Sequence, residues 1–101
     1  MEQKFNNFDE FFPFYMSQHR LRSTRFIHFV GTTVALIFAI FFALTLDFKF
    51  ILIGLVCVYG PAFLSHFYFE KNRPATFKHP FYSIIGDLRM WYLMITGKIK
   101  I

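Results

Sequence analysis

IHFVGTTVALIFAIFFALTL, residues 27–46, decides how this chain is built. It contains no Lys, Arg, Asp or Glu. After Asp47-Phe48-Lys49 a second stretch of the same kind follows, FILIGLVCVYGPAFLSHFYF at 50–69, again without a formal charge. Twenty helical residues rise about 30 Å, the thickness of a bilayer's hydrocarbon core. Two such runs joined by three residues predict a transmembrane helical hairpin. Neither run has a polar stripe that would let it sit as a surface helix of a soluble bundle.

Working outward, the whole composition agrees. Of 101 residues, 55% are hydrophobic and 17 are Phe, while only 17% are charged. A single small domain has too high a surface-to-volume ratio to bury that much apolar surface, so the surplus must face lipid or another protein. Disorder is excluded by the same figures. A disulfide scaffold is excluded because Cys57 is the only cysteine. The first run begins behind 26 polar and aromatic residues and no small-residue cleavage site follows it, so it does not read as a signal peptide.

Ten of the eleven Lys and Arg residues lie in segments 1–26 and 70–101, and only Lys49 lies in the connecting loop. The positive-inside tendency then puts both termini in the cytoplasm. The net charge of +5 is explained by topology and anionic headgroups, and no nucleic-acid motif interleaves the basic residues.

The flanks predict two further helices. Asn7 and Glu10 have capping spacing, and Phe8, Phe11, Phe12 and Tyr15 share one helical face. Residues 8–18 are therefore expected as an interfacial helix with its aromatic face on the membrane. Pro74 and Pro80 bound a loop. Residues 81–96 form a third helix, interfacial or partly inserted, with Trp91 and Tyr92 at the interface and Gly97 as its stop. The fold class is thus all-α: a small integral membrane protein, one domain over 1–101, with a transmembrane hairpin (27–46 and 50–69) between interfacial terminal helices.

Four histidines carry the chemical signal. His28 opens the first run and His66 lies three residues before the end of the second. Antiparallel spans place these two at one depth, near the cytoplasmic boundary, and His19 and His79 lie in the flanks on that side. Ionisable groups inside membrane segments are costly and tend to be functional. Neutral imidazole is the commonest metal ligand and suits iron, zinc and copper. Any one of these histidines alone reads as an ordinary interfacial residue, but His28 with His66 points to a shared site. Among nearby carboxylates, Glu70, one turn beyond His66, and Asp87 are candidates to complete a metal shell or orient an imidazole. Ion pairing with Lys71, Arg73 or another flank Arg is their plainer role. Ser65 beside His66 lacks a triad context, and Gly54, Gly60 and Pro61 suit helix packing.

FFPFYMSQH at 11–19, RFIHFVGT at 25–32, SHFYFEKNRPATFKHP at 65–80 and GDLRMWYLMITGK at 86–98 resemble the short, bacterial-type members of the Mpo1-like (DUF962) membrane protein family. The resemblance runs over about residues 8–98. It implies kinship with a fungal Fe(II)-dependent dioxygenase of the endoplasmic reticulum that shortens 2-hydroxy fatty acids by one carbon. It also implies that His19, His28 and His66 are iron ligands, with His79 matching the short type. Membrane lipid and a fatty-acid-like substrate are then the expected partners, and Arg73, Arg25 or Arg22 would pair with the substrate carboxylate. A non-enzymatic membrane scaffold or lipid-binding protein is the alternative, and haem held between His28 and His66 is a third.

Overall fold

The computed structural model describes residues 4–100; residues 1–3 and 101 of the expected single unit lie outside the described residues. The described residues form four α-helices, α1 (Phe8–Ser17), α2 (Arg22–Thr45), α3 (Lys49–Ser65) and α4 (Pro80–Ile95), with short helical turns between α3 and α4. Among the described residues there is no strand. The molecule is elongated, 43 × 27 × 26 Å, because α2 and α3 form an antiparallel pair along its long axis.

α1 begins where the capping spacing places it. The Asn7 side chain accepts a hydrogen bond from the Glu10 amide at 2.9 Å, satisfying one of the orphan donors of the first turn. α2 starts five residues before its apolar run, at Arg22, so the Arg22–Phe26 segment is helical too. It stops at Leu46, whose left-handed backbone (φ 57°) turns the chain into α3. Gly31 lets the two helices approach: a Cβ there would lie 3.2 Å from the Cys57 carbonyl oxygen and the Val58 Cα. Pro61 has no amide to give that carbonyl, so the contact falls at a gap in the helical hydrogen bonding of α3.

α3 does not end cleanly. It widens into a π-helical turn, His66–Glu70, closed by Lys71 in the left-handed conformation (φ 60°) and by the Asn72 amide returning to the His66 carbonyl at 3.0 Å. A 3-10 turn, Ala75–Phe77, then leads to Pro80 at the start of α4. Gly97, at φ 80°, takes the conformation that stops α4.

The hydrophobic core is off-centre. Phe11, Tyr15, Ala75, Met90 and Met94 are buried together, and they join α1 and α4 over the histidine-bearing end of the hairpin. The aromatic face of α1 therefore differs from the sequence expectation. Phe11 and Tyr15 turn inward on α4, and only Phe8 and Phe12 keep part of their rings accessible. Burial against Met90 and Met94 satisfies the same apolar surface that lipid would have covered. Trp91 likewise turns inward, donating its Nε1–H to Thr33 Oγ1 of α2 at 2.9 Å. At the other end the hairpin is bare: no residue from 33 to 53 is buried.

Gly86 is where α1 meets α4. A Cβ at this position would sit 2.9–3.1 Å from three atoms of the Tyr15 ring. Gly86→Ala is expected to displace Tyr15, and with it the site described below, and so to weaken metal binding in a titration. Gly60→Ala, with nothing within 4 Å, is the matched control and should leave it unchanged.

Candidate metal centre

Three of the four histidines converge. His19 stands in the turn after α1, His28 on the second turn of α2, and His66 at the end of α3 where the π turn begins. All three are at most 3% exposed. His19 Nε2 lies 3.1 Å from His28 Nε2 and 3.0 Å from His66 Nε2. The three donor atoms fall within 4.8 Å of one another, a cluster able to chelate a metal ion.

What lies behind each ring decides which nitrogen is free. His19 Nδ1 is 2.7 Å from the Tyr15 carbonyl oxygen, and His28 Nδ1 is 2.8 Å from the Thr24 carbonyl oxygen. A carbonyl only accepts, so in both rings Nδ1 carries the proton and donates. Both acceptors are four residues upstream of their histidine. His66 Nδ1 is 2.8 Å from Asn72 Oδ1. The Asn72 amide orientation is set by its Nδ2 donating to the Gln18 carbonyl at 3.2 Å, so here too Nδ1 donates. Three neutral imidazoles therefore point three Nε2 lone pairs at a common point. Such an arrangement is repulsive unless a cation sits between them, and it is the usual support of metal-bound histidine. Burial, followed by the nearby His28 and His66, holds His19 well below the ordinary histidine range, which keeps its lone pair available. Three imidazoles admit iron, zinc or copper alike.

The histidines share a cavity of about 10 Å³ with Tyr15, Tyr59, Ser83 and Asp87. That is room for about one water-sized group. Ser83 Oγ is buried there with no hydrogen-bond partner. Tyr15 stacks on His19 with ring centroids 4.1 Å apart, and its hydroxyl donates to Asp87 Oδ1. Asp87 thus holds the ring that supports His19, a role spacing suggested only in outline.

Burial pushes the Asp87 carboxyl up to about 7, against the opposing hydrogen bond from Tyr15. Its unfolded value is about 3.9, so between these limits the folded chain binds more protons than the unfolded one, and stability falls as pH rises. Above about 7 the loss is complete. Asp87→Asn keeps an acceptor for Tyr15 and should remove this slope. His19 acts in the opposite sense, so thermal unfolding of chelator-treated protein between pH 4 and 8 is read as wild type minus variant. A flat difference refutes the assignment.

The remaining candidates are placed elsewhere. Glu70 does not turn to the histidines, nor to Lys71 or Arg73. Its carboxylate accepts from the backbone amides of Arg20 (3.2 Å) and Leu21 (2.7 Å) and so fastens the π turn to the α1–α2 link. Free amides ahead of a helix are better partners than solvated cations. His79 is apart from the cluster, its ring against Phe5, Phe11 and Phe14. Arg25 lies one turn before His28, with its Nε buried and unpartnered. Arg73 is exposed on a cleft of about 410 Å³ shared with Phe14, Lys78 and His79. Sequence reasoning missed Asn72, Tyr15 and Ser83. The i−4 spacing of Tyr15 and Thr24 from their histidines was a usable signal; nothing local marked Asn72.

No curated protein and no solved structure matches the chain significantly. A family model does: the one described as 2-hydroxy-palmitic acid dioxygenase Mpo1-like matches residues 5–99, and with its buried histidine triad this chain belongs to the Mpo1-like family.

Proposed function

We propose that the chain is an Fe(II)-dependent dioxygenase that shortens 2-hydroxy fatty acids by one carbon at the cytoplasmic boundary of a membrane. The observation that carries this is the triad of Nε2 lone pairs, each fixed by a proton on the opposite ring nitrogen. The family description, which names 2-hydroxy-palmitic acid, supplies the substrate class.

His19, His28 and His66 would hold the iron. Iron supplies redox and Lewis-acid chemistry toward a bound 2-hydroxy acid. The chain's own residues do the rest. Arg25 offers its buried, unpartnered Nε–H to the substrate carboxylate. Ser83 Oγ gives the substrate hydroxyl a partner inside the cavity. Arg73 and Lys78, at the open cleft beside Pro74, attract the acid toward the site. Tyr15 and the core beneath it close the triad from water.

A membrane setting is supported by the hairpin. Its two helices are long and apolar enough to cross a bilayer, and their distal half has no protein cover. Leu44, Leu52 and Val56 are 77%, 64% and 70% exposed, an arrangement that lipid tolerates and water does not. The charge distribution supports an orientation with both termini in the cytoplasm.

The test is direct. Protein loaded with Fe(II) in lipid and given 2-hydroxypalmitate should yield the fatty acid one carbon shorter. No product with iron still bound refutes the reaction while leaving a metal protein. The scaffold alternative predicts no bound metal, against which the pinned tautomers argue. Haem between His28 and His66 has no room, because His19 Nε2 lies within 3.1 Å of both.

A further inference from the structure

Next to the histidine cavity lies a larger hollow of about 160 Å³, bounded by α2, α3 and α4. Tyr59 and Asp87 line both, so these two side chains border each space. The hollow is graded along the hairpin. On α2, Thr32 lies one turn beyond His28, and Leu36 one turn further. On α3, Tyr59 lies two turns before His66, and Leu55 one turn further. The polar members Thr32, Tyr59 and Asp87 are thus at the histidine end. Leu36 and Leu55 lie away from it, with Ile84 and Leu88 of α4 closing the side.

Thr32 marks the polar end of the hollow. It is 4% exposed, yet its Oγ1 has no hydrogen-bond partner. A buried hydroxyl left unpaired is costly, and this one sits where a polar cavity turns apolar.

We propose that this hollow seats the acyl chain of the substrate. The hydroxyl-bearing end of the acid abuts the histidine cavity, which has room for one water-sized group of it, the chain leaves past Tyr59 and Asp87, and its first methylenes lie along Leu36, Leu55, Ile84 and Leu88. The inference rests on the 2-hydroxy fatty acid reading for its head group. Leu55, Ile84 and Leu88 are 45%, 43% and 44% exposed, so the seat is an open trough and not a closed tunnel. Thr32 to Leu36 rises about 6 Å, so only the first part of the chain is gripped and the rest passes into lipid. Chains too short to cross the trough therefore lose binding, and longer ones are accepted without a measured limit.

The test uses the full protein in lipid nanodiscs, with and without iron, and a 2-hydroxy fatty acid carrying a diazirine in the first half of its chain. After irradiation, cross-links should map to Leu36, Leu55, Ile84 or Leu88 and be competed by 2-hydroxypalmitate. Ile84→Trp and Leu88→Trp fill the trough from its exposed rim. Each should lower labelling about tenfold, the scale on which an apolar pocket discriminates by size, with metal content unchanged. Leu44→Trp, on the bare part of the hairpin, should label like wild type. Label spread over Ile40 and Leu44 without competition, or undiminished in both rim variants, overturns the proposal. Because labelling needs no turnover, specific label without product refutes the reaction and keeps the trough. Product formed with an unchanged KM in both rim variants refutes the trough and keeps the reaction.

Discussion

The His28→Ala/His66→Ala variant is expected to purify folded and free of metal, where the wild type carries metal stoichiometrically. Two of the three convergent Nε2 atoms are then gone, and the one that remains, on His19, is a single neutral donor in a buried cavity. Single imidazoles bind first-row metals too weakly to survive purification, whereas three pre-aimed ones do not have to be ordered on binding. Elemental analysis of the detergent-purified protein reads the outcome. Metal at the wild-type level in the double variant ends the assignment of this site. Two further variants grade it. Asn72→Ala removes the acceptor that fixes the His66 ring and should cost about 10–100-fold in metal affinity without abolishing binding, the usual effect of losing a partner behind a ligand. His79→Ala should change metal content not at all, since its ring lies among phenylalanines outside the cluster.

Phe11→Ala should be the most destabilising single truncation in the chain. Phe11 is fully buried and packs against the rings of Phe5, Phe8, Phe14, Tyr15, His79 and Tyr82. Truncating a buried Phe leaves a cavity and costs about 3–5 kcal/mol. Here the cost falls on the docking of α1 over α4, which positions Tyr15 and through it His19. Metal affinity should therefore fall together with the unfolding temperature. Leu44→Ala removes an apolar side chain that is 77% exposed and should change neither. Equal stability of the two variants in a thermal melt would show that the core is not where the structure puts it.

Much of this was readable one residue at a time. The two uncharged runs announced a helical hairpin, because helix length and apolarity are local properties of sequence. Antiparallel pairing then brought His28 and His66 to one level by arithmetic alone. Asn7 with Glu10, and Gly97, marked helix ends through backbone chemistry that acts within a few residues. The pairing of Tyr15 and Thr24 carbonyls with the histidines four residues on obeys the same local spacing but was not read from it.

The third member of the triad was a different kind of question. His19 and His79 both stand in polar flanks on the same side; by position His79, in its Pro-flanked loop, was the weaker of the two, and the family resemblance pointed to His19. His19 was chosen by the inward turn of the α1 aromatic face onto Met90 and Met94, which folds its ring over α2; the same packing left His79 among phenylalanines. Glu70 looked like a ligand because it stands one turn beyond His66, but the π turn carries its carboxylate to the amides of Arg20 and Leu21. The Asn72 support, the Asp87–Tyr15 pair and the trough beside them all join residues far apart in the chain. By itself, then, the sequence determined the helices, the apolar hairpin and the common level of two histidines along it. Only the tertiary structure showed how His19 reaches the other two imidazoles and which groups hold the rings, because ring packing depends on how helices dock and not on what each helix contains.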